Sequence, residues 1–177
     1  MLRSMCVVLL ISLAIGCSRK QDGDPAVPKS TLADATFDAI LKRYGKEPNP
    51  SRMTEPHRTV LLVYHVHGII GNGGFQYLFE GDLPGDADLA YTRQAFKNIK
   101  AQKASDAFTK ALAVFPNSTP PKDISRRLKI YQSKYTLMDA IENKQSPDAI
   151  FMDAMNDTMQ KLEAYIRENK ASFDALK

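Results

Sequence analysis

The spacing of apolar residues from Ser30 onward constrains the fold of this chain more than any other feature of its sequence. Apolar side chains recur every three or four residues, as on one face of an α-helix, and glycine or proline follows where a helix would end. The predicted helices cover 31–44, a segment from Thr54 that includes 60–66, a hairpin of 86–99 and 104–115, a helix over 123–141 and a last helix over 146–166. This pattern predicts an all-α fold, a single compact multi-helix domain.

The segment 60–66 fits a buried strand as well as a buried helix, because it is rich in β-branched residues and apolar on both faces. Thr54, Glu55 and Pro56 ahead of it form a helix-start signal. The sequence offers no second strand with which this segment would pair. We therefore predict a helix here.

The N-terminus resembles the signal of bacterial lipoproteins. Arg3 precedes an apolar run that ends in the sequence LAIGC at residues 13–17, and this run is too short to span a membrane. These features predict a signal peptide over 1–16 and lipidation of Cys17, with Ser18 favouring the outer membrane. The alternatives are a secreted protein in which Cys17 has no role, or a leader that stays attached as an anchor.

Residues 17–30 are expected to form a flexible tether, because they are mostly polar, contain two prolines and cannot build a core. The folded domain would then be 31–177, held at the bacterial cell envelope and facing the periplasm. Cys6 would leave with the leader and Cys17 would carry lipid, so no cysteine pair remains for a disulfide. The 24 Lys and Arg exceed the 20 Asp and Glu only slightly, unlike the charge of a polycation.

The histidine pair His65 and His67 is the candidate metal site of the sequence. On a strand the two imidazoles would share a face and could chelate zinc, whereas on a helix they would lie about 200° apart. Because we predict a helix here, both remain weak candidates for metal ligands.

An acidic loop follows, in which four carboxylates surround glycine and proline. The loop lacks the EF-hand spacing for calcium. Capping of the next helix by the last carboxylates explains the same residues. The four residues are Glu80, Asp82, Asp86 and Asp88.

Residues 68–74 are rich in glycine, but they match neither the P-loop nor the Gly-x-Gly-x-x-Gly pattern of a phosphate-binding turn. We expect Gly73 and Gly74 to let the backbone turn sharply with a positive φ. The turn would bring four apolar side chains against a neighbouring helix: Phe75, Tyr77, Leu78 and Phe79.

Basic residues cluster along the helix predicted for 123–141. A solvated face is the plain interpretation, and contact with anionic lipid headgroups is the functional alternative if the chain is anchored nearby. The candidate contact residues are Lys122, Arg126, Arg127, Lys129 and Lys134.

The glycine run also resembles the Asn-Gly-Gly-Phe-x-Gln-Tyr-Phe signature of the DNA-mimic protein family, with the glutamine one position early. The matching residues are Asn72, Gly73, Gly74, Phe75, Gln76 and Tyr77. Segments 93–99, 104–116 and 162–166 resemble later helices of that family, so that the resemblance extends over about 32–170. It implies an all-α domain in which the motif residues have a structural role.

The best-known member of that family binds a transcription regulator by presenting an acidic surface like that of duplex DNA. The present chain is basic and predicted to be exported. The resemblance is therefore taken to imply the fold and the structural motif, without the regulator-binding role.

The sequence as a whole favours a lipid-anchored, non-enzymatic helical module that binds an unidentified protein. Its expected partners are the membrane and that protein, with no nucleic acid and no cofactor. No carboxylate pair, Ser/His/Asp set or reactive lysine identifies a catalytic site. Two alternatives stay open: a metal-dependent enzyme centred on His65 and His67, and a cytoplasmic regulator binder of the DNA-mimic type.

Overall fold

The computed structural model describes residues 30–82, 85–136 and 143–176. Seven α-helices cover most of these residues and no described residue forms a strand, which confirms the all-α prediction. The helices are α1 (Leu32–Tyr44), α2 (Glu55–Glu80), α3 (Ala90–Asn98), α4 (Gln102–Leu112), α5 (Ile124–Gln132), α6 (Pro147–Glu168) and α7 (Lys170–Asp174). Short 3-10 helices at Pro50–Arg52 and Pro116–Ser118 lie in two of the connections.

α1 begins and ends where the sequence predicts. The hydroxyl of Thr31 accepts a hydrogen bond from the Asp34 backbone N–H at 3.1 Å, and the Asp34 carboxylate accepts one from the Thr31 N–H at 2.8 Å. This reciprocal capping box satisfies two backbone donors that the helix leaves unpaired. Gly45 ends the helix with a φ of 91°, a conformation that side chains disfavour.

α2 is the central helix, and it contains the ambiguous segment 60–66. Pro56 lies in its first turn, where its missing N–H costs no helical hydrogen bond. The helix packs against α1, α3, α5 and α6. Because neighbours cover α2 on several sides, most of 60–66 is buried. This segment is therefore apolar on both faces, and its sequence shows no helical period. The prediction of a helix here is confirmed.

Gly73 and Gly74 interrupt α2 with a sharp kink. Gly74 has φ 69° and ψ −170°, whereas Gly73 has a negative φ of −155° with ψ 17°. The positive φ was therefore predicted correctly for Gly74 and wrongly for Gly73. Beyond the kink Phe75 packs into the core, but Tyr77 is 51% exposed, so the expected packing of Tyr77 against a neighbouring helix is wrong.

The hairpin predicted for 86–99 and 104–115 is present as α3 and α4. Asp86 is buried, and its carboxylate accepts hydrogen bonds from the backbone N–H groups of Tyr91 and Thr92, both at 2.8 Å. A third bond comes from the Thr92 hydroxyl at 2.7 Å. Burial raises the pKa of Asp86, while these bonds act in the opposite direction. Asp86 therefore acts as the helix cap that the sequence predicts.

α5 is shorter than predicted, since it ends at Gln132 rather than continuing to 141. Its start is as expected, with the Asp123 carboxylate accepting from the Arg126 N–H at 2.7 Å. The Ser133 hydroxyl donates to the Ile130 carbonyl at 2.7 Å, and such local side-chain bonds compete with continuation of a helix. Residues 133–136 of the predicted helix are not helical, and its remainder, 137–141, lies outside the described residues.

The core is built around aromatic rings that α2, α3, α4 and α6 contribute. Phe75 meets Phe108 edge to face with ring centroids 5.0 Å apart, and it meets Phe151 in the same way at 5.8 Å. Phe96 packs against Phe108 with centroids 4.8 Å apart. Each such pair contributes about 0.5–1.5 kcal/mol beyond the area that it buries. Phe75 directly follows the kink in α2, and its packing among these rings therefore holds the kink in place.

None of the helices in the described part of the chain has the length and apolar content needed to cross a bilayer. The predicted signal peptide 1–16 and nearly all of the tether 17–30 lie outside the described residues. The division at 16, 30 and 177 therefore stays a prediction.

Candidate functional site

A groove runs between α1 and α2 and consists of two cavities that share Phe37 and His65. The larger cavity has a volume of about 570 Å³ and the smaller one about 320 Å³. Other lining residues are Tyr64, Ile69, Tyr77 and Glu80 in the larger cavity, and Leu41, Lys46, Glu47, Leu61 and Asp82 in the smaller one. We call this feature the α1–α2 groove.

Aromatic rings form much of the larger cavity. Phe37 of α1 stacks on Tyr64 of α2 with ring centroids 4.3 Å apart and planes at 27°. Tyr77 lines the same cavity and is half exposed. A Cβ atom on Gly73 would lie 2.6 Å from the Cβ of Tyr77, so the absence of a side chain at Gly73 permits this position of Tyr77.

Asp34 and Tyr64 connect the two walls of the groove. The Tyr64 hydroxyl donates to Asp34 Oδ1 at 2.8 Å, and this bond raises the pKa of Tyr64 to about 12. The hydrogen bond from the Thr31 backbone lowers the pKa of Asp34, and the Tyr64 bond lowers it further. At neutral pH the site therefore holds a carboxylate against a neutral phenol.

The rim of the groove is acidic. Glu47, Glu80 and Asp82 line the cavities and are exposed. Asp38 of α1 also lies close enough to Tyr64 to raise its pKa. Among the described residues that line the two cavities, Lys46 is the one Lys or Arg. The groove therefore combines an apolar floor with a net negative charge.

His65 and His67 are separated by the helix, as the helical prediction requires. His65 lines both cavities, and partial burial lowers its pKa, so the imidazole is neutral at pH 7. His67 is directed to α6, where its Nε2 lies 3.3 Å from the Met155 carbonyl oxygen. Within 30–82, 85–136 and 143–176, no three His, Cys, Asp or Glu side chains are grouped closely enough to hold a metal.

Asp148 of α6 fixes the kink in α2, and sequence reasoning missed it. Its buried carboxylate accepts a hydrogen bond from the Phe75 backbone N–H at 2.6 Å and another from the Tyr131 hydroxyl at 3.0 Å. A Cβ atom on Gly74 would collide with this carboxylate. In the sequence Asp148 follows Ser146 and Pro147 and has the pattern of an ordinary acidic residue in a first helical turn. The local sequence therefore gives no indication that its carboxylate bonds to residues far away in the chain.

The polar motif residues lie near this kink. Asn72 lines both the α1–α2 groove and a further cavity of about 400 Å³, which Gln76, Tyr131 and Asp148 also line. Gln76 Nε2 donates to Glu80 Oε1 at 3.0 Å. Gln76 therefore orients a carboxylate of the groove rim, in addition to its place in the motif.

Arg127 departs from the predicted headgroup-contact set, because its side chain is buried. Its guanidinium donates to the carbonyl oxygens of Phe79 at 2.7 Å, Gly81 at 2.8 Å and Pro121 at 3.2 Å, and it lies 3.5 Å from Asp82. It therefore satisfies carbonyls at the end of α2. The other four residues of that set are exposed, and their contact with headgroups stays a prediction: Lys122, Arg126, Lys129 and Lys134.

The family described as DMP19-like protein matches residues 51–169. No curated protein and no solved structure matches the chain. The match confirms the resemblance to the DNA-mimic protein family, which is not a known enzyme family. It covers α2 to α6, whereas α1, the other wall of the groove, precedes it.

This match corrects one expectation. The sequence predicts no nucleic-acid partner, and this prediction conflicts with the family match, because a DNA-mimic family points to DNA-binding proteins as partners. The prediction depends on the predicted export and on total charge, and residues 51–169 contain fifteen Lys and Arg against fourteen Asp and Glu. The total charge of a chain does not show where its charges lie. The carboxylates at the rim of the groove form an acidic surface that the total charge does not show.

Proposed function

This chain belongs to the DMP19-like protein family, and from that premise we propose that it is a non-enzymatic helical module that binds a basic segment of a DNA-binding protein. The binding surface is the α1–α2 groove. The observation that carries the proposal is the acidic rim around an apolar floor, since a basic amphipathic segment complements both.

The apolar floor supports a polypeptide partner rather than a free cation. Leu41 and Leu61 line the smaller cavity, and Phe37 and Tyr64 line the larger one. The two cavities adjoin, because they share Phe37 and His65, and an apolar groove between helices is a surface that accepts an amphipathic helix from a partner. The carboxylates at the rim would steer and orient that helix.

A direct test is the binding of two labelled peptides to the full chain, measured by fluorescence anisotropy. One peptide is an amphipathic helix of Leu, Lys and Arg, and the other carries Glu at every basic position. We expect the basic peptide to bind at least ten times more tightly, equivalent to about 1.4 kcal/mol. The double substitution Asp38→Lys and Glu80→Lys should remove most of this preference.

The matched control reverses two exposed carboxylates elsewhere, Asp106 on α4 and Glu168 at the end of α6. Asp106→Lys with Glu168→Lys changes the net charge equally, so affinity for the basic peptide should change less than twofold. Equal losses in the two double variants would mean that the peptide senses total charge rather than the groove, and the proposal would fail.

As an alternative to a cytosolic location, where DNA-binding proteins are found, we propose that the module is held at the bacterial envelope through a lipidated Cys17 and binds a basic segment of an envelope protein there. The support is the sequence of residues 1–17, with its apolar run and terminal cysteine. Mass spectrometry of the membrane fraction should detect an acylated peptide that begins at Cys17, and Cys17→Ser should release the protein from that fraction. An intact leader on protein in the cytosol would refute the location and favour the cytoplasmic alternative.

A further inference from the structure

The larger cavity of the α1–α2 groove has the composition of a site for a guanidinium group. Resting on the function proposed above, we propose that one arginine side chain of the bound partner enters this cavity. The contacts would be stacking on the ring pair Phe37 and Tyr64 and ion pairing with Glu80. Among the described residues that line this cavity there is no Lys or Arg, so no cation from that part of the chain occupies the proposed position.

The aromatic lining is the first argument. Guanidinium groups are attracted to the faces of aromatic rings within about 6 Å of the ring centroid. Phe37, Tyr64 and Tyr77 all line the cavity, and Tyr77 is half exposed. Tyr77 is not part of the stacked pair, so its half-exposed ring is a further aromatic surface at the opening of the cavity.

The charges around the rings are the second argument. The Tyr64 hydroxyl donates to the Asp34 carboxylate, which makes the ring of Tyr64 richer in electrons and its face more attractive to a cation. Glu80 lines the cavity itself, and Gln76 holds one of its oxygens at 3.0 Å. A planar guanidinium could therefore stack on a ring while donating to Glu80.

The absence of competing positive charge is the third argument. In the part of the chain that the structure describes, no Lys or Arg lines the larger cavity. His65 lines it, but partial burial lowers its pKa, which keeps the imidazole neutral at pH 7. Lys46 belongs to the smaller cavity. A cation that enters the larger cavity therefore meets carboxylates and rings.

Arginine fits this site better than lysine for geometric reasons. The guanidinium is planar, is more weakly hydrated than an ammonium group and donates in a fork that matches a carboxylate. Lysine offers a compact charge that stacks less well and retains its water more strongly. The cavity should therefore distinguish the two side chains, which a merely acidic surface would not.

The test compares three versions of the basic peptide at one central position: arginine, lysine and citrulline, which has nearly the shape of arginine but no charge. With the full chain we expect the arginine peptide to bind about tenfold more tightly than the citrulline peptide and about threefold more tightly than the lysine peptide. Glu80→Gln and Phe37→Leu should each bring the three affinities close together. Lys46→Glu, in the smaller cavity, should leave their ratios unchanged.

The outcomes separate this inference from the proposed function. If all three peptides bind with equal affinity and the charge reversals of the groove still weaken them, the groove is the binding surface but the arginine site is refuted. If no basic peptide prefers the groove, the proposed function itself fails. If Glu80→Gln and Phe37→Leu fold normally but keep the full preference for arginine, the arginine enters elsewhere and the inference is wrong.

Discussion

Single side chains fix the geometry around the kink of α2, and Asp148 is the most consequential of them. It pairs with the Phe75 N–H and the Tyr131 hydroxyl, both inside the protein. We expect Asp148→Ala to lower the free energy of unfolding by about 2–4 kcal/mol, since it leaves two buried polar groups without a partner.

Urea denaturation followed by circular dichroism measures this loss. Asp153→Ala is the matched control, because Asp153 is an exposed carboxylate on the same helix, paired with Lys103 at the surface. Its effect should stay below about 1 kcal/mol. A similar small effect of Asp148→Ala would contradict the assigned role.

At the same scale, the sequence could predict residues whose partners are near in the chain. The helix starts at Asp123 and Ser146 are predicted from local patterns, and both side chains cap their helices. Asp148 and Arg127 bond to groups that are 73 and 48 residues away. Nothing in their local sequence separates them from exposed charges on a helix, so their roles required the fold.

At the scale of elements, the two halves of α2 depend on a glycine that no other residue can replace without strain. Gly74 has a φ of 69°, and a Cβ atom there would collide with Asp148. Gly68 lies in regular helix on the same element, with nothing within 4 Å of its Cβ position. The pair provides a clean comparison.

We expect Gly74→Ala to lower the midpoint of thermal unfolding and to destabilise the protein by at least about 1–2 kcal/mol. Gly68→Ala should raise stability by about 0.5–1 kcal/mol, since alanine is a better helix former. Differential scanning calorimetry measures both. Equal effects of the two substitutions would show that the kink is not required.

The attachment of α1 to α2 should depend on pH through Asp34. Its pKa is lowered in the folded protein, chiefly by the Thr31 backbone hydrogen bond and then by Tyr64. A lowered pKa adds stability above the unfolded value near 3.8, and this stability is lost as the pH falls through the folded value. Wild type should thus lose more stability on acidification than Asp34→Asn.

Chemical denaturation at pH 7 and at about pH 3 tests this expectation. Asp34→Asn should be less stable than wild type at pH 7, and the difference should shrink at the lower pH. Asp86 has a raised pKa and acts in the opposite direction, but it is common to both proteins and cancels in the comparison. A constant difference across this range would contradict the role of Asp34.

Helix positions were predictable because proline, glycine and capping residues mark their ends in the sequence. The exceptions have physical causes. The segment 60–66 gave no clear period because neighbours bury it on several faces, and α5 ends early where Ser133 bonds back to Ile130. Tyr77 was misplaced because the sequence predicts the turn at the glycines but not the direction that the chain takes after it.

At the scale of the whole molecule, charge has to be considered as a distribution. The chain has a formal net charge of +4 at pH 7, which argued against any likeness to DNA. The groove brings together carboxylates from the end of α2 and from the connections beside it, Glu47, Glu80 and Asp82, and Asp38 of α1 lies near enough to Tyr64 to raise its pKa. These residues are distant in sequence, so the acidic groove became visible only in the folded structure.

The central claim is that the α1–α2 groove binds a basic segment of a DNA-binding protein, and photo-crosslinking in intact cells tests it most directly. A photoreactive p-benzoylphenylalanine replaces Lys46, which is exposed and lines the groove, or Asp106 as the remote control. We predict that the groove position captures DNA-binding proteins through basic segments, and that Asp38→Lys with Glu80→Lys abolishes this capture. Capture of the same proteins from Asp106, or of none with a basic contact segment, would contradict the account.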